Sequence, residues 1–310
     1  EDLASLSPAD FIAEWKWDGI RVQAVNDKGT RRLYSRTGED ISGSFPDVIE
    51  ALNFDGVLDG ELLVKRGDGV APFGDLQKRL GRKKVGKAML ASHPAALRVY
   101  DVLYWNGEDL RPRTLADRQI HLKTCVSDLR DPRIDLSLPL DFETWEDLAK
   151  LRADPPNSVI EGVMIKRRDS GYIAGRKRGY WFKWKRDPML VDAVMLYAQR
   201  GHGKRSGYYS DFTFGVWNDD QLVPVGKAYF GFTDAELKEL DRFVRNNTID
   251  RFGPVRAVKP ELVLEVAFEG LNESSRHKSG LAMRFPRINR IRTDKPALEA
   301  GTLAELRAFL

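Results

Sequence analysis

The first half of the chain alternates between segments with the two-residue period of a strand and segments with helix start signals. Ile20, Val22 and Ala24 alternate with polar residues, and a polar turn separates them from a second such segment, which predicts a hairpin. Further predicted strands cover residues 56–65, 97–105, 161–168 and 179–186, and predicted helices cover residues 45–53, 114–128 and 144–152. Strands joined mostly by short turns favour an α+β domain built around antiparallel sheet. We expect the lysines of the last two strands to point outward.

The pattern changes near residues 187–188, after which strand candidates dominate at residues 190–199, 211–217, 222–230 and 262–270. One clear helix lies between them and starts with the capping-box residues Thr233 and Glu236, and a terminal helix starts with Thr302 and Glu305. Five or so strands with one helix are typical of a small closed β-barrel of the OB type. We therefore predict two domains, residues 1–187 and residues 188–310.

Length and composition agree with two intracellular domains. A chain of 310 residues exceeds the size of about 250–300 residues at which a single core stops growing. Cys125 is the only cysteine, which excludes a disulfide within the chain and favours a reducing compartment. No apolar run approaches the roughly 18 residues of a membrane helix, and no leader is present, so we predict a cytoplasmic protein. Because the chain starts at Glu1 and not at methionine, we expect it to be part of a longer protein.

The stretch EWKWDGIR, residues 14–21, places one lysine between two tryptophans. An ammonium group is not a nucleophile, and nearby cations and partial burial are what favour the neutral amine of a lysine. Arg21 supplies the cation and the flanking tryptophans can exclude water, so Lys16 is a candidate nucleophile. For this stretch alone, a solvated lysine in a strand-turn-strand segment is the alternative.

Further polar and charged residues follow on successive predicted strands of the same half. They are Arg36, Glu61, Tyr100, Asp101, Glu161, Lys166, Lys183 and Lys185. The strand period places Lys183 and Lys185 on one face but does not do so for Glu161 and Lys166. Each residue alone could form a structural ion pair. Together, basic groups that hold phosphate oxygens and carboxylates that hold Mg²⁺ suit a polyphosphate with a divalent metal.

The order of these fragments resembles the covalent nucleotidyltransferase superfamily, which comprises ATP-dependent DNA ligases, RNA ligases and messenger-RNA capping enzymes. Six collinear motifs carry the resemblance: KWDGIR from Lys16, SRTG around Arg36, DGE ending at Glu61, YDVLY from Tyr100, EGVMIK from Glu161 to Lys166, and WFKWK with Lys183 and Lys185. The resemblance covers nearly the whole chain. It implies an adenylation domain with an ATP-grasp-like antiparallel sheet, followed by an OB-fold β-barrel.

The second half resembles DNA ligases in particular. VGKAYFGFTDAEL is similar to the family's V-G-x-x-x-x-G-F-T-x-x-x-L, and MRFPRINRIRTDK is similar to its terminal R-F-P-R-x-x-R-x-R-x-D-K. The resemblance is to bacterial ATP-dependent enzymes, which often carry a helical DNA-binding domain before the catalytic core. We therefore expect a DNA ligase, with an RNA ligase or a GTP-dependent capping enzyme as the alternative. A binding module without catalysis would lack the lysine or a metal carboxylate, and all of them are present.

The resemblance also implies a role for each motif residue. Lys16 would attack the α-phosphate of ATP and become lysyl-AMP, with the AMP then passing to a 5′-phosphate at a DNA nick. The nucleotide-binding residues would be Glu14 and Tyr100 at adenine, Arg21, Arg36 and Glu61 at ribose and phosphate, and Lys166, Lys183 and Lys185 at or near the α-phosphate. Glu61 and Glu161 would hold Mg²⁺ or Mn²⁺. Arg292, Asp294 and Lys295 would orient pyrophosphate as the leaving group after a closing motion. One of Arg176, Lys177 and Arg178 would replace the arginine pair that the family has before the fifth motif.

Clusters of basic residues indicate a nucleic-acid partner independently of the resemblance. They cover residues 78–84, 166–186 and 200–209, where cations are interleaved with glycine and aromatic residues. This composition suits salt-sensitive, sequence-independent tracking of a phosphate backbone. Together with the resemblance, which implies a nicked duplex as substrate, these clusters lead us to expect a monomer that binds nicked duplex DNA and is associated with a bacterial nucleoid.

Overall fold

A computed structural model describes residues 3–67, 69–175 and 177–310, with the side chain of Lys204 left out. The chain divides into two compact units, Glu1–Arg186 and Asp187–Leu310. Within the described ranges, no helix is both long enough and apolar enough to cross a membrane.

The first unit contains two β-sheets and short helices. Its strands are β1 (Phe11–Trp17), β2 (Ile20–Asp27), β3 (Thr30–Ser35), β4 (Gly56–Arg66), β5 (Gly69–Val70), β6 (Ala95–Trp105), β7 (Glu108–Asp109), β8 (Ile134–Leu136), β9 (Pro139–Leu140), β10 (Ile160–Arg167) and β11 (Trp181–Lys185). Its helices are α1 (Pro46–Ala51), α2 (Phe73–Gln77), α3 (Lys87–Ser92), α4 (Leu115–Leu129) and α5 (Trp145–Ala153). The predicted strands and helices of this half are confirmed to within a few residues.

The two sheets are antiparallel apart from one strand pair. One sheet has the order β11-β10-β1-β9, and the other has the order β3-β2-β4-β6-β7, with β5 on β4 and β8 parallel to β6. The β2–β3 turn consists of Lys28 and Gly29, both with positive φ, which is the backbone that a tight two-residue hairpin requires. Thr114 and Thr144 cap α4 and α5 by accepting hydrogen bonds from Asp117 and Asp147 main-chain N–H groups.

Each sheet of the first unit buries one face and leaves the other face polar. The larger sheet contributes Val22, Leu58 and Val99 to a core with α1 and α4, while Arg21 and Glu61 lie at alternate positions. The smaller sheet contributes Phe11, Ala13 and other apolar residues to a second core with α5. The polar faces of the two sheets contact each other, because side chains of β10 and β11 meet those of β2 and β6. The cleft between these polar faces is called the sheet cleft below.

The second unit contains a seven-stranded antiparallel sheet, a separate two-stranded sheet and one longer helix. Its strands are β12 (Met189–Arg200), β13 (Tyr209–Asn218), β14 (Gln221–Ala228), β15 (Thr248–Phe252), β16 (Val255–Val258), β17 (Val263–Phe268), β18 (Gly270–Glu273), β19 (Leu281–Arg284) and β20 (Arg287–Arg292). Its helices are α6 (Asp234–Asn247), which starts with the predicted capping box, and the short α7 (Leu303–Arg307). β12 pairs with β13, β16 and β17, and β17 also pairs with β20. The four predicted strands are present, whereas the sequence analysis did not identify β15, β16, β18, β19 or β20.

Candidate active site

Lys16 lies on the polar face of β1 because its two tryptophan neighbours belong to apolar cores. Trp15 packs in the core of the smaller sheet, and Trp17 packs against Leu63 and Val159. Adjacent residues of a strand point to opposite faces, so burying both tryptophans directs Lys16 into the sheet cleft. Its side chain is 23% exposed. The tryptophans therefore orient the lysine, but they lie on the opposite face of the strand and do not shield it from water.

Glu161 forms an ion pair with Lys16, although strand alternation alone does not place it there. In the β1–β10 ladder, Lys16 pairs with Gly162 and Trp17 with Ile160, which makes Glu161 the extra residue of a β-bulge. A bulge re-aims a side chain, and here it turns the carboxylate toward the amine. Gly162 has a φ of 146°, and a Cβ on it would lie 2.2 Å from the main-chain oxygen of Trp184. The glycine is thus required for the backbone that carries Glu161.

Glu61 is a half-buried carboxylate of β4 beside the same lysine. Burial raises the pKa of Glu61 to about 8, although the charge of Lys16 opposes the shift. The neighbouring Asp59 carboxylate adds to the increase. In the absence of a ligand, Glu61 therefore holds a proton at neutral pH more firmly than an exposed glutamate does.

Asp59 is fully buried and organises the larger sheet's side of the cleft. Arg21 donates to it through Nε at 3.1 Å and through Nη2 at 2.6 Å. Two tyrosine hydroxyls also donate to it, that of Tyr100 at 3.0 Å and that of Tyr172 at 2.7 Å. Tyr100 reaches Asp59 because it is the extra residue of a second bulge, where Asp59 pairs with Asp101 and Gly60 with Val99.

Glu14 and Lys166 form a buried ion pair on the smaller sheet. Lys166 Nζ lies 3.1 Å from Glu14 Oε1, and both side chains are 2% exposed. The ammonium group also lies 4.3 Å from the ring centre of Tyr100 and 4.7 Å from that of Trp181, in cation–π geometry. Burial raises the pKa of Glu14, while Lys166 opposes the increase. The prediction that the lysines of this strand pair point outward is wrong for Lys166, because its ion pair and two rings stabilise it inside.

Three further predicted residues lie at the rim of the cleft or outside it. Lys185 pairs with Gly162 and Lys183 with Met164, so both belong to the face of the smaller sheet that carries Lys16. Lys183 is exposed, and Lys185 is half-buried. Arg36 is exposed in the turn after β3. The cleft therefore brings together most of the predicted residues of the first unit, whereas the described contacts do not connect Arg36 with it.

The three predicted residues of the second unit form one charged cluster. Arg292 forms hydrogen bonds with Asp294 at 2.8 and 2.9 Å. It also donates to Asp192 at 3.0 and 3.2 Å, and Lys295 donates to the same carboxylate at 2.8 Å. Hydrogen bonding with Arg292 lowers the pKa of Asp294 to about 2. Asp192, on β12, is thus the common acceptor for both cations.

The basic segments are only partly available for an external partner. Lys78, Arg82, Lys83 and Lys84 are exposed. Arg79 is fully buried and donates to Asp47 and to the main-chain oxygen of Ser44, so its inclusion in a binding cluster is wrong. Lys177 donates to the Tyr180 hydroxyl at 3.0 Å, and Arg178 is exposed, whereas Arg176 lies outside the described residues.

Three residues that organise these clusters were not assigned roles in the sequence analysis, namely Asp59, Tyr172 and Asp192. Asp59 had a detectable signal, since a charged residue in an apolar strand needs a partner. Tyr172 and Asp192 had none, because their partners are 113 and 100 or more residues away in sequence.

In the first unit, two polar sheet faces lie around a lysine, several carboxylates and further cations. The second unit is built from antiparallel strands with one longer helix. These features define a nucleotidyltransferase core with an OB-fold domain. The family model of the ATP dependent DNA ligase domain matches residues 1–185, and that of the ATP dependent DNA ligase C terminal region matches residues 205–295. The chain belongs to the ATP-dependent DNA ligase family.

Individual proteins agree with this assignment. A probable DNA ligase of Koribacter versatilis is 40% identical over 316 residues, covering 94% of this chain and 55% of the relative. The ligase domain of M. tuberculosis LigD is 26% identical with a TM-score of 0.50, covering 96% of this chain and 94% of that domain. A structure of a Lig E DNA ligase has a TM-score of 0.67 at 19% identity, covering 94% and 96%, which is a likeness of fold alone. The chain spans about half the length of the curated relatives it matches.

Proposed function

We propose that this chain is the catalytic core of an ATP-dependent DNA ligase that seals nicks through lysyl-AMP and DNA-adenylate intermediates. The observation that carries the proposal is Lys16, directed into the sheet cleft and paired with Glu161 through a bulge that only Gly162 allows. We further propose that residues 1–187 form the adenylation domain and residues 188–310 the OB-fold domain.

The proposed reaction starts with attack of Lys16 Nζ on the α-phosphorus of ATP. A phosphorus–nitrogen bond forms, the bond to the pyrophosphate oxygen breaks, and the amine loses one proton. That proton passes to solvent, and Glu161, which contacts the amine, orients it for attack. The AMP then passes to the 5′-phosphate of a nick, and the adjacent 3′-hydroxyl displaces AMP as the phosphodiester bond forms. Positioning and charge stabilisation supply most of the rate in such transfers.

The nucleotide would lie between the two polar faces. Glu14 is held by Lys166 beside the Tyr100 ring, and we assign its carboxylate to the adenine amino group. Tyr100 supplies an aromatic ring in the same region. We assign Arg21 and Arg36 to ribose and phosphate, and Lys183 and Lys185 to the α-phosphate, which suits the side of the smaller sheet on which the two lysines lie.

The carboxylates beside Lys16 fit a magnesium or manganese ion. Glu61 and Glu161 both present oxygen atoms, which are the donors that Mg²⁺ prefers. The described residues contain no group of three or more metal-binding side chains. Mg²⁺ is usually held by one or two carboxylates together with substrate phosphates, so two are sufficient. When bound, the ion would neutralise charge that develops on the phosphates.

For the second unit we propose that Arg292, Asp294 and Lys295 orient the pyrophosphate leaving group. The cluster around Asp192 supports this role, because it presents two cations with fixed orientations. Lys295→Ala should therefore slow self-adenylylation more than the sealing of a nick that already carries AMP. Equal losses in the two steps would contradict the role.

The proposed partner is nicked duplex DNA, bound by a monomer of a bacterial, nucleoid-associated protein. The exposed cations near residues 78–84 support sequence-independent contact with phosphates. A helical DNA-binding domain before the core is part of the proposal. Affinity of the core alone for a nick is expected to be weak and to decrease steeply with salt.

Intact-mass measurement tests the chemistry. After incubation with ATP and Mg²⁺ and without DNA, the protein should gain the mass of one AMP, located on the Lys16 peptide. Lys16→Ala should gain nothing, whereas Lys123→Ala, which removes an exposed lysine of α4, should react like the unmodified chain. A gain from GTP alone would favour a capping enzyme. Preferential sealing of nicks that have RNA on one side would identify an RNA ligase.

A further inference from the structure

We propose that Tyr172 is a positioning residue for nucleotide transfer and acts through Arg21. The inference rests on the proposed function, because it concerns the same cleft. Tyr172 lies outside the six motifs, in the connection between β10 and β11.

The hydroxyl of Tyr172 makes three hydrogen bonds within the cleft. It donates to Asp59 Oδ2 at 2.7 Å, and it accepts from Arg21 Nη2 at 3.0 Å and from Gln23 Nε2 at 3.3 Å. Burial, and then the charge of Asp59, raises the pKa of Tyr172 to about 12, so the hydroxyl keeps the proton that it donates. The hydroxyl group of Tyr172 thus connects the loop between β10 and β11 to both members of the Arg21–Asp59 ion pair.

These contacts fix the plane and rotation of the Arg21 guanidinium. Nε and Nη2 are both directed at Asp59, and Nη2 is shared between Asp59 and Tyr172. Among the described residues Nη1 has no acceptor, and the side chain remains 40% exposed. Nη1 is therefore the group that can donate to a nucleotide oxygen, and its direction is set by the atoms that hold Nε and Nη2.

The position of Tyr172 is itself fixed by contacts of its main chain and of its ring. Its main-chain N–H donates to the carbonyl of Arg111 at 2.8 Å. Arg118, which is fully buried, donates to the carbonyl of Ser170 at 3.1 Å and lies 5.9 Å from the Tyr172 ring centre. A residue anchored in this way can restrict a neighbour, whereas one on a loose loop cannot.

Tyr172→Phe removes only the hydroxyl and keeps the ring, so the fold should persist. We expect the second-order rate constant of self-adenylylation with ATP to decrease about tenfold, the effect of losing hydrogen bonds to charged groups. The thermal unfolding midpoint should change by no more than a few degrees. Tyr197→Phe, at a half-buried tyrosine of β12 outside the motifs, is the matched control and should retain the original rate.

A double-mutant cycle separates positioning from an independent structural effect. Arg21→Lys keeps the charge but lacks the fork that Asp59 and Tyr172 share. In the Arg21→Lys background, Tyr172→Phe should change the rate by less than twofold. The inference is overturned if Tyr172→Phe reacts like the unmodified chain, or if it slows the reaction equally in both backgrounds.

The same variants remain informative if no covalent adduct forms. Absence of labelling in the unmodified chain would contradict the proposed function only. ATP affinity, measured by calorimetry, then replaces the rate. Tyr172→Phe should weaken ATP binding about tenfold in the original background and less than twofold with Arg21→Lys. Unchanged affinity would overturn the role of Tyr172.

Discussion

Replacing Arg118 with methionine should destabilise the first unit more than any surface substitution. Arg118 and Asp101 are both fully buried, and their side chains form two hydrogen bonds of 2.8 and 2.9 Å. Arg118 also donates to the carbonyl oxygens of Arg113 and Ser170 at 2.7 and 3.1 Å. Arg118→Met fills a similar length but removes the guanidinium donors from the Asp101 carboxylate, which among the described residues keeps only its bond from the Val102 main-chain N–H, and from two carbonyl oxygens.

The expected loss in the free energy of unfolding is about 3–5 kcal/mol, the usual effect of removing one partner of a buried ion pair. Total stabilities of about 5–15 kcal/mol make this a large fraction. Replacing both partners, as in Arg118→Met with Asp101→Leu, should recover much of the loss because no buried charge remains.

Urea unfolding followed by tryptophan fluorescence measures this loss, since every tryptophan except Trp217 belongs to the first unit. Arg111→Met is the control, because the Arg111–Asp109 pair is exposed and its removal should hardly change the midpoint. A single variant within 1 kcal/mol of the unmodified chain, or a double variant less stable than the single one, would refute the reasoning.

The loss should also depend on pH. Burial raises the pKa of Asp101, and removal of Arg118 takes away the charge that opposes the increase. The folded variant then keeps a proton that the unfolded chain releases above about pH 4. Its stability relative to the unmodified chain should therefore decrease as pH rises from 5 to 8, and an equal difference at both values would contradict this assignment.

Two other substitutions test the geometry around Lys16. Gly162→Ala should lower stability by about 3 kcal/mol and abolish labelling, whereas Gly74→Ala, which has open space around it, should do neither. In metal-free buffer, Glu61 keeps a proton that the unfolded chain loses, because its pKa is raised from 4.5 to about 8. The stability of the unmodified chain relative to Glu61→Gln should therefore decrease as the pH rises from 4.5 to about 8. Because the side chain is partly exposed, we expect a decrease on the order of 2 kcal/mol. A stability difference that does not change with pH would contradict the raised pKa.

The elements that local signals define could be predicted from the sequence. Alternation identified the long strands, and the Thr-x-x-Glu boxes identified the starts of α6 and α7. β15 was not identified because it follows directly from α6 and is rich in charge, and β16 was not identified because it has only four residues. The short strands β18–β20 owe their conformation to pairing partners and not to their own composition.

The positions of charged side chains could be predicted only where strands are regular. Lys183 and Lys185 share a face, as the two-residue period predicts. Glu161 and Tyr100 reach the cleft through bulges, and a bulge adds a residue that no local pattern indicates. The burial of Lys166 depends on Glu14, a partner 152 residues away in sequence. Long-range pairs of this kind explain why the sequence could name candidate residues but could not predict their contacts.

The pairing of charges in the cleft gives a physical reason to expect a metal requirement. Each interior cation already has a carboxylate partner: Lys16 with Glu161, Arg21 with Asp59, and Lys166 with Glu14. In the proposed reaction Lys16 leaves Glu161, and the released carboxylate would then lie beside phosphate oxygens of the same sign. A divalent cation held by Glu61 and Glu161 would remove that repulsion, whereas a further lysine would only compete for the carboxylate. We therefore expect EDTA to prevent labelling of Lys16 while ATP still binds, and labelling at an undiminished rate without divalent ions would contradict this account.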